Sequence, residues 1–316
     1  MTPEFISLDV AWRHYVITLL AKEASGSRDG DAREIIGASF VLTNPSLCWI
    51  FNDRRNLSPY YAAAEILWYA SGSADAAMIS RYAPQYARFA EQDQSVYGAY
   101  GERLGKSIRD VIHVLKTEPN SRRAVVSLWR QTDLQAGHGP DAVKDVPCTL
   151  SWQFLVRGNE LHMIVDMRSN DIWLGTPYDV FWNCTALRLI ANELGLSIGT
   201  YTHHVGSLHL YERNYQAAVE AMTEVPQQQL PVWYMSDSND DFKSLKVAAG
   251  QEELARTKEV YWHGADNVIA TTLLRLCQDF LSPSYKAESK LPIDRAMHVA
   301  QLTFDSNKLK KGSGEK

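Results

Sequence analysis

Apolar positions along the chain recur with two periods, and the change from one to the other divides the sequence into elements. Over residues 7–24 they fall at helical spacing, and the turn-forming segment "SGSRDGDAR" follows. "EIIGASFVLTNP" then reads as a strand whose end Pro45 marks. In "SPYYAAAEILWYASGS", Ser58 can cap a helix and Pro59 suits its first turn. A helix over about 104–117 ends near "TEPNSRR", "AVVSLW" follows as a strand, and 133–147, with Gly137, Gly139 and Pro140, is expected to be loop. The most strand-like part is "CTLSWQFLVRGNELHMIVDMRS", where two runs flank Gly158-Asn159 and predict a tight hairpin. Val180, Cys184, Leu187, Ala191 and Leu194 share one helical face before a stop at Gly195. "HHVGSLHLYERNY" predicts a strand running into a helix.

Beyond residue 225 the character shifts to "EVPQQQLPVWYMSDSNDDF", with helices expected around 250–262 and 266–281 and a polar, frayed tail in "SNKLKKGSGEK". Helices interleaved with sheet segments make an α+β (α/β layered) fold, a mixed β-sheet flanked by helices. Two regions are expected: a catalytic domain over 1–225 and a mostly helical extension over 226–316.

Composition narrows the chemistry. A net charge of −5, with 22% charged residues, argues against a protein that coats nucleic acid or a membrane surface. Any anionic ligand must then be met by a local cluster of Arg or Lys. The 4 cysteines (Cys48, Cys148, Cys184, Cys277) have no CxxC spacing, so neither a metal site nor a disulfide framework is expected. A reducing, cytoplasmic location follows from that usage. The first residues lack the pattern of a signal peptide, and no stretch approaches the roughly 18 apolar residues needed to span a bilayer.

One segment stands out. "DMRSNDIWLGTPYD", residues 166–179, is apolar enough for core yet carries Arg168, Asn170, Asp171 and Asp179. Singly, such residues have bland readings. Cys148 fits a small buried hydrophobe, Arg122-Arg123 a solvated turn, Asp179 a helix N-cap, and His209 with Tyr211 a half-buried strand pair.

Their order carries more. "EILWYASG", "SVYGAYG", "PNSRRAVVSLW", "VPCTLSWQF", "MRSNDIWLGTPYD" and "VGSLHLYERNY" together resemble the thymidylate synthase family, collinearly from about residue 28 to about 215. Synthases acting on dUMP place Asn after "LG-x-P-[aromatic]", where this chain has Asp179. "REIIGASF", "MRSND" and "VGSLH" also look like the phage deoxycytidylate (dCMP) hydroxymethylases, in which an Asp stands there.

The resemblance implies the following roles. Cys148 is the thiol that adds to the pyrimidine, with a pKa lowered by nearby arginines. Glu65 is the acid/base glutamate, Tyr97 takes part in removal of the C5 proton, and Asp179 selects cytosine. Arg28, Arg168 and Ser169 meet the phosphate, and Arg122 and Arg123 are donated by the partner subunit of a homodimer. His209 and Tyr211 hold the sugar. The one-carbon donor is 5,10-methylenetetrahydrofolate, with Asp171 on its pterin. The tryptophans of dUMP synthases between the glutamate helix and "VYG" are missing, and Tyr82 and Tyr86 stand in that stretch, Tyr82 as a folate contact.

The implied reaction is 5-hydroxymethylation of dCMP. CMP hydroxymethylation and dCMP methylation are the near alternatives, and a nucleotide- or RNA-binding regulator without catalysis is the alternative of a different class. No membrane or nucleic-acid partner is expected.

Overall fold

The computed structural model describes residues 2–226, 242–258 and 268–281. Within them the chain runs β1 (Glu4–Phe5), α1 (Leu8–Leu20), β2 (Ala32–Leu42), α2 (Pro59–Ser71), α3 (Ala76–Tyr82), α4 (Tyr100–Leu104), α5 (Ser107–Thr117), β3 (Val125–Ser127) and α6 (Gln131–Ala136). It continues through β4 (Thr149–Arg157), β5 (Glu160–Asp171), α7 (Thr176–Leu194), β6 (Ser197–Tyr211), α8 (Tyr215–Met222), α9 (Phe242–Lys258) and α10 (Val268–Leu281). The six strands form one mixed sheet in the order β1-β2-β6-β5-β4-β3. The β1–β2 and β5–β6 pairs are parallel and the others antiparallel. The expected fold class, a mixed sheet flanked by helices with a helical C-terminal region, is the one observed.

Local chemistry explains most boundaries. Ser7 and Ser58 cap α1 and α2 by accepting from Val10 N and Tyr61 N, and Pro59 opens α2. Gly158, at φ 59°, takes the left-handed turn that joins β4 to β5, as the alternation on either side of it requires. α7 begins with Pro177 in its first turn and ends at Gly195, whose φ of 67° is a left-handed cap. Because α7 packs against β5 and β6 on one side and α5 and α2 on the other, it is buried almost all round.

Four expectations change. The helix over 104–117 is broken at Gly105, where φ is 46°, into α4 and α5. The expected loop over 133–147 begins inside a helix, α6. Asp133 accepts from Arg130 N and ion-pairs with Arg103 at 2.7 Å, with both side chains at most 2% exposed. That buried pair holds a turn whose glycine-rich surroundings pointed elsewhere. α3 is additional, capped by Asp75 accepting from Ala77 N. The first C-terminal helix, expected from about 250, already runs over Phe242–Lys258, and the second, expected over 266–281, is observed over Val268–Leu281; 259–267 and the polar tail lie outside the described residues.

α9 and α10 pack on each other and on α2, and their Leu245, Ala248, Ile269, Leu273 and Cys277 join the same apolar core as the sheet. No helix among the described residues is long and apolar enough to cross a membrane.

Candidate active site

Cys148 stands just before β4, beside the end of β5. The Arg168 backbone N–H donates to Cys148 O at 2.9 Å. The Arg168 guanidinium donates to Pro147 O and Val146 O, both at 2.8 Å, and its Nη2 lies 3.6 Å from the Cys148 sulfur. One arginine therefore grips the segment that carries the thiol and places a positive charge on the sulfur. Burial nevertheless pushes the thiol up to about 11, with Arg168 opposing and the Asp179 and Asp145 carboxylates adding to the rise. The lowered pKa expected from the sequence is not what this chain's own groups produce.

Asp179 lies in the first turn of α7, three residues past its start at Thr176, and the cap position is Gly175. The N-cap reading is thereby corrected. Its Oδ2 accepts from Asn170 Nδ2 at 2.7 Å. Gly175 makes room for that bond, since a Cβ there would stand 3.1 Å from Asn170 Nδ2 and 3.2 Å from Asp179 Oδ2. Burial raises Asp179 to about 7, with Asn170 opposing and Asp171 adding to the rise.

Glu65, on α2, is buried and accepts from the Tyr61 hydroxyl at 2.6 Å. Burial raises it to about 8, against the bonds from Tyr61 and Tyr69 and with help from the charge of Asp179. Burial thus favours the neutral forms of the Cys148 thiol, Glu65 and Asp179, and it raises the two carboxyls toward the range in which a side chain can both give and take a proton.

Two tyrosines lie here that the sequence reading did not assign. Tyr100, at the start of α4, accepts from Thr149 N at 3.1 Å and from Thr149 Oγ1 at 3.0 Å, and feels the charges of Asp179 and Cys148. Tyr86 feels those of Asp145, Glu65 and Asp179. Tyr97, by contrast, donates to Asp133 Oδ1 at 3.0 Å and sits over Arg103, so its hydroxyl belongs to the buried ion pair and not to the thiol pocket. The signal was present in "VYGAYG", two Tyr-Gly pairs three residues apart, and only the helix start separates them. Tyr82 is also placed differently. It is buried, donates to Glu252 Oε1 at 2.9 Å and packs on Phe280, so it anchors α9 and α10 to the body instead of lining the thiol pocket.

The remaining residues divide into two groups. Asp171 Oδ1 accepts from Trp173 N and Leu174 N at 2.8 and 3.1 Å, which holds the tight turn into α7. Its carboxyl is raised by burial, and the charges of His209 and Arg213 oppose the rise. The His209 and Tyr211 rings meet edge to face at 4.9 Å, and Tyr211 OH lies 3.4 Å from Asp29 Oδ2, beside Arg28. Arg28 is exposed, yet its charge reaches Cys148. Ser169, next to Arg168, is half-buried on β5.

Arg122 and Arg123 lie elsewhere on the chain. Arg122 O accepts from Gln153 Nε2 and Ala124 O from Phe154 N, six residues along β4 from Cys148, which is about 20 Å at strand rise. Arg123 pairs with Glu118 at 2.6 Å on the surface. Among the described residues no cluster of His, Cys, Asp and Glu is arranged to hold a metal.

A family model described as thymidylate synthase matches residues 47–251 of this chain. The chain belongs to the thymidylate synthase family. The match runs past the composition change at 225 and into α9. The chain is 32% identical over 168 residues to the thymidylate synthase of Bacillus phage phi3T, a stretch covering 50% of this chain and 58% of that relative. It is 31% identical over 179 residues to the thymidylate synthase of Bacillus licheniformis, covering 51% and 62%. It thus spans less than two thirds of the length of these relatives. Among solved structures, the thermostable thymidylate synthase A from Bacillus subtilis superimposes with a TM-score of 0.59 at 23% identity, over 71% of this chain and 86% of that one. That likeness shows a shared thymidylate synthase fold.

Proposed function

We propose that this member of the thymidylate synthase family transfers a one-carbon unit from 5,10-methylenetetrahydrofolate to C5 of dCMP and delivers it as a hydroxymethyl group. The observation that carries the reading is a half-buried carboxyl, Asp179, whose charge is felt by both Cys148 and Glu65, where dUMP synthases resemble this chain but have an amide. Cytosine offers an N4–H donor and a bare N3, the reverse of uracil's O4 and N3–H, so a carboxyl with one protonated oxygen matches it. An unpaired group at either position would cost about 1–3 kcal/mol, or roughly tenfold to hundredfold in discrimination.

The roles follow from the chemistry of the side chains. The Cys148 thiol, after giving up its proton, bonds to C6, and the electron pair displaced onto C5 makes that carbon nucleophilic. The methylenetetrahydrofolate supplies the electrophilic carbon. Asp171, half-buried and oriented by two backbone N–H groups, fits as an acceptor for pterin N–H donors. Glu65, poised near 8 by burial, can hold or move a proton on water beside the base. Arg28, Arg168 and Ser169 provide donors for the phosphate. Arg122 and Arg123 lie too far along β4 to join them within one subunit, so in a homodimer they would serve the partner's site.

The direct test is incubation with methylenetetrahydrofolate and each of dCMP, CMP and dUMP, followed by mass analysis. Gain of a hydroxymethyl group on dCMP is expected. A methyl product, turnover of CMP in preference, or product from dUMP alone would overturn the corresponding part of the reading. Tyr100 takes the role the resemblance gave to Tyr97. Tyr100→Phe is expected to lower kcat about 10²-fold besides a stability loss of about 1–3 kcal/mol from the two bonds to buried Thr149, whereas Tyr97→Phe should lower stability by about 1 kcal/mol and leave kcat nearly unchanged. Steady-state kinetics beside thermal melts check both.

A further inference from the structure

Behind Asp179 runs a series of buried polar groups with a single direction. Asn170 turns Nδ2 to Asp179 Oδ2 at 2.7 Å, and its Oδ1 lies 2.6 Å from Thr176 Oγ1 and 3.1 Å from His203 Nε2. His203 Nδ1 is 2.7 Å from the Tyr201 hydroxyl, which in turn lies 3.1 Å from Asn183 Nδ2. Asn170, Thr176, Asn183, Tyr201 and His203 are each at most 3% exposed, so every polar atom in the series needs a protein partner.

The direction follows from one end. Asn170 presents its amide nitrogen to Asp179 Oδ2 and its oxygen inward, the arrangement that an ionised carboxylate, which only accepts, requires. That oxygen requires donors, which the Thr176 hydroxyl and the His203 Nε2–H supply. Burial holds His203 down to about 3, so the ring is neutral and only one of its nitrogens carries a proton. With the proton on Nε2, Nδ1 accepts from the Tyr201 O–H, and the Tyr201 oxygen accepts from Asn183. Donation therefore passes from Asn183 through Tyr201, His203 and Asn170 to Asp179.

The two oxygens of a carboxyl group are chemically equivalent, but a group that distinguishes cytosine from uracil needs one to accept and the other to donate. We propose that His203 is a positioning residue that, through Asn170, fixes Asp179 Oδ2 as the accepting oxygen and so directs any proton on Asp179 to Oδ1. With the series reversed, Asn170 would present its oxygen, the carboxyl proton would be drawn to Oδ2 to bond it, and Asp179 would have no proton left to donate to N3 of cytosine. His203 thus governs base specificity without touching the nucleotide. The inference rests on the reading of Asp179 as the group that reads the base.

The test compares kcat/KM for dCMP and dUMP in the full-length wild type, His203→Phe, His203→Gln and Tyr201→Phe, with melting temperatures alongside. The dCMP:dUMP ratio is expected to fall about tenfold in His203→Phe, where Asn170 Oδ1 keeps only the Thr176 hydroxyl, itself shared with Asp171 O, as a donor, and in Tyr201→Phe, where the histidine proton is free to move to Nδ1. His203→Gln should restore the ratio, because its amide donates to Asn170 and accepts from Tyr201. Should His203→Phe fail to fold, Tyr201→Phe, which removes one oxygen, carries the test. An unchanged ratio in folded variants, with kcat lowered equally on both nucleotides, would overturn the positioning role while leaving the cytosine reading intact. A wild type with no preference for the cytosine nucleotide would overturn both.

Discussion

Replacing Cys148 with alanine is expected to remove turnover, by at least about 10⁴-fold, while the proposed substrate dCMP should still bind. The loss is this large because C5 of a pyrimidine does not attack a one-carbon unit until a nucleophile adds at C6, and no other cysteine among the described residues lies at the pocket. Cys48, Cys184 and Cys277 are all buried in the core. Serine at 148 is no substitute, since its hydroxyl ionises far less readily than a thiol. Equilibrium binding of labelled dCMP separates the two effects, and appreciable turnover in either variant would exclude Cys148 as the nucleophile. The same variant tests the dimer. Mixed with inert Arg123→Ala subunits, it should recover up to about a quarter of wild-type activity, because a hybrid holds one site with both an intact sulfur and an intact donated arginine. No recovery on mixing would show that Arg123 serves its own chain or none.

Asp179→Asn is expected to invert base preference, with kcat/KM for dCMP falling about 10²-fold and dUMP becoming the better substrate. An amide offers a fixed donor and a fixed acceptor, which suit O4 and N3–H of uracil. Unchanged preference would leave Asp179 as a group that merely holds Asn170. Stability gives a second readout with a definite sign. Burial raises the Asp179 carboxyl from 3.8 to about 7, so the folded protein holds this proton more tightly than the unfolded chain. The contribution is complete below pH about 4 and is lost as pH rises through 7. Asparagine has no such loss. The variant should therefore gain on the wild type between pH 4 and 8, by about 2–4 kcal/mol, and match it in acid. Parallel melting curves at both ends of that range would reveal the difference, and equal pH dependence would contradict a raised Asp179 carboxyl.

The parts of this molecule that local chemistry dictates could be read from the chain. Ser58 with Pro59, the Gly158 turn and the Gly195 stop each act through neighbouring backbone, and the helices and strands they bound are those observed. What distant contacts decide could not. α6 exists because Asp133 meets Arg103, thirty residues away in sequence, inside a segment whose glycines suggested a loop. Tyr97 and Tyr100 carry the same local signal, and only the turn into α4 sends one to the ion pair and the other to Thr149. Tyr82 was separated from its partner Glu252 by 170 positions. The series behind Asp179 joins Asn170 at the end of β5 to His203 on β6, although the register pairs them with Leu208 and Val165, and no spacing along the sequence announces it.

α2 has two duties. Its Glu65 faces the pocket, and its Tyr60 packs on Phe280 of α10, while α9 closes against the same helix. The stretch with the least recognisable sequence is thus a buttress for the acid of the pocket. Removing α9 and α10 would strip apolar cover from α2, the helix that carries Glu65, so those two helices and the acid share one support.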